Sequence, residues 1–148
     1  MIYKKNKLII DGYNVDYLTK KFATPIYCYS HKKLKENILN FQKNFQKINP
    51  LICFAVKSNT NIKLLSEIKK FDLGADVVSM GEMMKAFKAG IKPNKIVFSG
   101  VGKTSKEISY AINKNILLIN AESKSEVLEI EKISKLKKKK VNIGVRLN

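Results

Sequence analysis

Leu51-Ile52-Cys53-Phe54-Ala55-Val56 is an unbroken apolar run that ends on Lys57. A run of this length without polar alternation suits a strand buried on both faces. Upstream, Ser30 stands before a helical pattern over residues 31–48, with Leu34, Ile38, Phe41 and Phe45 on one face. Ser is a preferred helix cap, and Asn49-Pro50 stops the pattern. Before that, residues 15–22 form an amphipathic segment leading into Thr24-Pro25, and Ile26-Tyr27-Cys28-Tyr29 reads as a short strand.

The pattern repeats downstream. Thr60 or Asn61 opens a helix with Ile62, Leu65 and Ile68 on its apolar face, and residues 75–78 read as a strand. Ser79 opens a helix bearing Met83, Ala86 and Phe87, which Gly90 ends, and residues 95–98 are the next strand. Thr104 caps a helix with Ile108, Ala111 and Ile112, followed by a strand over residues 116–119. Ser123 caps a helix with Val127, Ile130 and Ile133, and Ser123 with Glu126 has the spacing of a capping box. Residues 141–147 form the last strand.

Strands begin about every 20–25 residues, the spacing of β-α units with short loops. The alternation implies an α/β fold with a parallel sheet covered by helices. Periodicity leaves open a doubly wound sheet or part of a β/α (TIM-type) barrel. Polar residues follow almost every strand at the same end: Lys57, Ser79, Ser99 with Gly100, and Asn120 with Glu122. That distribution favours the barrel, whose sites gather from many strand ends, over the open sheet, whose sites sit at one switch point. A complete barrel has eight strands in roughly 250 residues. About six are expected here, so the chain is read as the front part of something longer, an incomplete barrel.

The 148 residues suit one compact domain, and the 45% hydrophobic content argues against global disorder. No apolar run approaches the roughly 20 residues of a membrane helix, and no signal peptide is legible. Cys28 and Cys53 are too few for a disulfide scaffold, so a reducing cytoplasm is the expected compartment. The formal net charge is +17. Such a charge raises nucleic acid as a partner, but Arg146 is the sole arginine, and the lysines are spread along helix faces. Readers of phosphate and bases use the arginine fork more often, so neither nucleic acid nor a membrane is the expected partner.

Lys57 is the first candidate for chemistry. A lysine at the end of a buried strand is either an amine of lowered pKa suited to Schiff-base chemistry or a side chain snorkelling into solvent. Asp76, inside the short apolar strand, is costly unless paired, and a lysine of the neighbouring strand would pair with it. Glu82 lies in the first turn of a helix, where the dipole alone favours a carboxylate. Arg146, on the last strand, either binds an anion or fixes a helix end. Ser99-Gly100-Val101-Gly102-Lys103-Thr104 invites a phosphate-loop reading but has Val97 where that motif needs its first glycine, which leaves a tight strand-to-helix loop with Lys103 close to an anion. His31 is the one histidine, too few for a catalytic triad or a metal site. Both cysteines fall in expected apolar strands, as small buried hydrophobes.

Four stretches carry a resemblance: Phe54-Ala55-Val56-Lys57-Ser58-Asn59, Gly74-Ala75-Asp76-Val77-Val78-Ser79, Val97-Phe98-Ser99-Gly100-Val101-Gly102-Lys103-Thr104 and Val145-Arg146-Leu147-Asn148. In order and spacing the chain, from about Thr24 to Asn148, resembles the diaminopimelate decarboxylases of the alanine-racemase-like pyridoxal-phosphate enzymes. Ser58 and Met80 depart from the commoner alanine and glycine of that family. The resemblance implies a carboxy-lyase that converts meso-diaminopimelate to lysine, a β/α barrel joined to a β-rich domain, and an active site at a homodimer interface. It implies Lys57 as the Schiff-base lysine holding pyridoxal 5'-phosphate and carrying protons. It places Asp76 beside that lysine and the cofactor, holding the released ammonium, with Glu82 and Arg146 in the cofactor neighbourhood. It assigns residues 1–24 to an N-terminal segment of the β domain and residues 25–148 to the front of the barrel.

The family's ring-stacking histidine, glycine-rich phosphate loop, pyridine-nitrogen glutamate and partner-subunit cysteine all fall beyond the family position of Asn148. The 148-residue chain alone is therefore expected to bind cofactor weakly and not to turn over substrate. Rival readings are an ornithine- or arginine-type decarboxylase of the same group and a non-catalytic pyridoxal-phosphate barrel.

Overall fold

The computed structural model describes residues 1–147 and divides into two compact units, Met1–Pro50 and the chain from Leu51 onward. In the first unit, β1 (Ile2–Lys4), β2 (Lys7–Ile10) and β3 (Tyr13–Asn14) form an antiparallel sheet. Both hairpins turn on two residues of positive φ, Lys5-Asn6 and Asp11-Gly12. Two left-handed residues match the twist of the flanking strands, and Asn, Asp and Gly adopt that conformation at low cost.

Asn14 caps α1 (Val15–Phe22) and Ser30 caps α2 (His31–Phe45), each side chain accepting from the first turn. The Asp11 carboxylate accepts from Ser30 Oγ at 2.6 Å and from the Lys32 N–H at 3.0 Å. These bonds, the serine's first, hold its pKa below the ordinary carboxylate value. The strand expected over residues 26–29 is absent: the segment pairs with neither sheet, Tyr27 is 89% exposed and Cys28 is exposed. Aromatic residues favour strands only where a ladder partner exists. The expected apolar face of α2 buries only Ile38, while Phe41 and Phe45 are exposed and stack on each other.

The second unit is a five-stranded sheet, parallel throughout: β4 (Cys53–Ala55), β5 (Gly74–Val77), β6 (Ile96–Phe98), β7 (Leu118–Ala121) and β8 (Ile143–Val145). Five described strands form this sheet where six strands were expected, residues 26–29 not being a strand. The helices α3 (Ile62–Lys70), α4 (Met80–Lys88), α5 (Ser105–Lys114) and α6 (Lys124–Lys137) each connect one strand to the next. Spatial order follows chain order, so the described sheet contains no switch point. Leu65, Ile68, Met83, Ile108 and Ile130 of the four helices are buried with Val77, Phe98 and Ile119 of the strands. Gly74 permits the close approach of β4, β5 and β6: a Cβ there would press on the Lys95 carbonyl and the Cys53 sulfur.

The helix starts are where local chemistry is most visible. Asn61, Ser79, Thr104 and Ser123 accept from the first-turn N–H groups of α3 to α6. The complete capping box is formed by Thr104 and Glu107, not by Ser123 and Glu126. Glu107 also accepts from the Met80 N–H at 3.0 Å and so ties the start of α5 to the start of α4. Glu126 turns away from its expected box because a buried cation takes it. The Lys103 side chain is 1% exposed and Glu126 9%. Lys103 Nζ donates to the Gly100 and Asn120 carbonyls, both at 2.6 Å, and to Glu126 Oε1 at 3.1 Å.

Two predictions follow from these contacts. Lys103→Met leaves the Glu126 carboxylate and two carbonyls without their cation, so unfolding by urea should show a loss of about 3–5 kcal/mol; an unchanged midpoint would refute the locking role. Glu107 is held below the ordinary carboxylate pKa, first by the Met80 N–H and further by the Thr104 N–H and hydroxyl. A folded pKa below the unfolded one gives stability that is present at neutral pH and lost as pH falls through the carboxylate range. The gap in urea midpoint between the wild type and Glu107→Gln should therefore be widest near neutrality and close towards acid; a gap independent of pH would contradict this.

Candidate active site

The polar residues that follow the strands converge at the C-terminal end of the parallel sheet. Lys57 sits in a single 3-10 turn, Val56–Ser58, directly after β4. The turn is held by the Asn59 N–H on the Val56 carbonyl and by Ser58 Oγ on the Ala55 carbonyl. Lys57 is exposed, which matches the second of the two alternatives its place in the sequence allows, a side chain reaching into solvent. Its amine stands in solvent at a strand end, anchored by a fully buried Val56.

Asp76 is on β5, half-buried, in register with Ala55 of β4 and Val97 of β6. Lys57 is therefore two residues beyond the strand neighbour of Asp76. Among the described residues Asp76 has no basic group within 4.0 Å, so the expected ion pair is replaced by a hydrogen bond. Ser99 Oγ donates to Asp76 Oδ1 at 2.6 Å, and Asn120 Nδ2 donates to Ser99 Oγ at 3.0 Å. The three side chains make a continuous line across β5, the end of β6, and β7.

A second line runs beside it. The Gly100 N–H donates to Glu122 Oε1 at 2.9 Å, and Arg146 Nη1 lies 3.4 and 3.5 Å from the two Glu122 oxygens. Arg146 follows β8, held there by its N–H on the Ala121 carbonyl. Its side chain is 58% exposed and that of Glu122 only 10%. A long pair with one exposed partner is weak, and it leaves guanidinium N–H groups facing solvent for an anion.

Glu82 serves the backbone. Its Oε2 accepts from the Val78 N–H at 2.9 Å while its own N–H donates to Ser79 Oγ, which fixes the turn between β5 and α4. The structure thus brings Lys57, Asp76 and Arg146 to one end of one sheet and puts Glu82 at the adjoining helix start. Lys103 is turned inward and carries no free cation, so the loop after β6 is not a phosphate cradle. Burial pushes the Cys53 thiol pKa up, in keeping with a packing role. Ser99, Asn120 and Glu122, which the sequence marks only as polar residues after strands, join the site through bonds the sequence does not show. Their signal in the sequence is that each follows or ends a strand; no local pattern shows that they bond to one another.

Residues 31–148 match the family model described as the pyridoxal binding domain of pyridoxal-dependent decarboxylases. The chain is 44% identical over 136 residues to the diaminopimelate decarboxylase of Helicobacter pylori strain J99, covering 92% of this chain and 34% of that protein. It is 40% identical over 146 residues to the diaminopimelate decarboxylase of Aquifex aeolicus, covering 99% and 34% respectively. The crystal structure of the Helicobacter pylori enzyme complexed with L-lysine superposes with a TM-score of 0.88 at 44% identity, covering 91% of this chain and 34% of that one. The chain spans about a third of the length of these relatives. With the family model covering all but its first 30 residues, the chain belongs to the pyridoxal-dependent decarboxylases, matching their pyridoxal binding domain over residues 31–148.

Proposed function

We propose that the complete gene product decarboxylates meso-diaminopimelate to lysine, using pyridoxal 5'-phosphate held at Lys57. The observation that carries the proposal is the exposed Lys57 in the turn directly after β4, the strand that pairs with the one bearing Asp76, in a chain 44% identical to a diaminopimelate decarboxylase. The sheet from β4 to β8, with strand order following chain order, is then the front of a β/α barrel. Residues 1–24 belong with a β-rich second domain and residues 25–148 with the barrel. The working form is a cytoplasmic homodimer with an amino-acid substrate.

The residues present fit the cofactor. Its aldehyde needs a solvent-accessible primary amine, which Lys57 offers. Its anionic groups need N–H donors, which Arg146 offers at the same sheet end. A positive charge at the Lys57 nitrogen would be balanced by a nearby carboxylate, and Asp76 is on the adjacent strand. When bound, the cofactor supplies a ring that accepts the electron pair left by the departing carboxylate. Lys57 would hold the cofactor and would hold or deliver a proton at Nζ. Asp76 would orient the Lys57 ammonium. Glu82 acts indirectly, keeping the β5 turn that places Asp76.

The test combines labelling and turnover on the complete gene product. Borohydride reduction in the presence of pyridoxal phosphate should place the label on Lys57, as read by peptide mass. Lys57→Ala should lose that label and lower carbon dioxide release from meso-diaminopimelate by about 10²-fold or more. Label spread evenly over exposed lysines, or an undiminished rate in the variant, overturns the proposal. Ornithine and arginine, offered in parallel, should be poor substrates.

A further inference from the structure

We infer that Ser99 and Asn120 are positioning residues that commit one oxygen of Asp76 to the protein and present the other to the Lys57 amine and its cofactor. The inference rests on the proposed role of Asp76 and Lys57.

The direction of the hydrogen-bond chain is set by valence. A serine hydroxyl has one proton to give and two lone pairs to accept with. Asn120 Nδ2 donates to Ser99 Oγ at 3.0 Å, so the single Ser99 proton is free to go to Asp76 Oδ1, 2.6 Å away. That short bond to a carboxylate is of the charge-assisted kind. Among the described residues the other oxygen, Oδ2, has no protein donor, so Asp76 offers one open oxygen rather than two.

The chain cannot swing. Asn120 is in register with Gly144 on β8, and a Cβ at Gly144 would run into Asn120 Oδ1. The glycine thus makes room for the Asn120 amide to lie across the sheet. Lys103 holds the Asn120 carbonyl and the Gly100 carbonyl next to Ser99, both at 2.6 Å. The Ser99 N–H is bound to the Val77 carbonyl at 2.8 Å, next to Asp76. Each member of the line is therefore pinned by backbone on a different strand. A carboxylate held this way does not rotate between two equivalent orientations when the amine beside it is released or recaptured.

The test uses the complete gene product and the labelling ratio, the yield of reduced pyridoxal-phosphate adduct at Lys57 over that at exposed helix lysines. Ser99→Ala should lower this ratio by about tenfold, the size of one hydrogen bond to a charged group, and Asn120→Ala, which removes a bond between neutral groups, by about fivefold. Ser99→Thr, which keeps the hydroxyl, should restore it. A purely structural role would lower the urea midpoint and leave the ratio unchanged, and that result overturns the inference. If Ser99→Ala fails to fold, Asn120→Ala carries the test alone. Asp76→Asn separates the two levels. A lowered ratio in Asp76→Asn with wild-type ratios in Ser99→Ala and Asn120→Ala removes the positioning role and keeps the site. An unchanged ratio in Asp76→Asn removes the role of Asp76, and this inference with it.

Discussion

The second unit depends on one buried ammonium. Lys103 has almost no contact with water, and an unpaired cation there would be prohibitive. Its three acceptors come from the loop after β6, from β7 and from the first turn of α6, and its Nζ lies 5.4 Å from the centre of the Phe98 ring. The lysine can be satisfied only when these pieces are in place together. A loop with two glycines of positive φ, Gly100 and Gly102, is thereby given a single course. The same demand explains Glu126, which accepts from Lys103 and from the Glu122 N–H instead of closing a box on Ser123.

The site inherits its order from that lock. Ser99 directly precedes Gly100, and Asn120 is itself an acceptor of Lys103, so fixing those carbonyls fixes the strand ends that bear the polar line. Parallel pairing does the rest, since register puts Ala55, Asp76 and Val97 abreast, and Asn120 opposite Gly144. A site of this kind is built from single residues contributed by successive strands. Its chemistry arises from neighbours about 20 residues apart in the chain, which no short motif can encode.

What was legible followed from local forces. The caps at Ser30, Ser79, Thr104 and Ser123 were visible, with Asn61 one of two candidates beside Thr60, because a cap bonds to N–H groups two or three residues away. The buried faces of α5 and α6 followed from spacing along a single helix. Residues 26–29 misled because their aromatic content suits a strand, while a strand also needs a partner that the segment does not contain. The hairpin turn at Asp11-Gly12 carried a local signal, but its strands are only two to four residues long, too short for alternation to register.

By itself the sequence determined the alternation of helix and strand, Lys57 at a strand end with Asp76 and Arg146 on strands, and the resemblance that named a cofactor. Those rest on periodicity, capping and residue order, all of which act within a few positions. Tertiary structure alone decided that Lys57 is exposed and that Asp76 is met by Ser99 instead of a lysine. It also decided that Lys103 is turned inward and Glu126 drawn to it. Each of these is a matter of burial and partner choice, and the energy of a polar side chain depends on neighbours that only the folded sheet brings together.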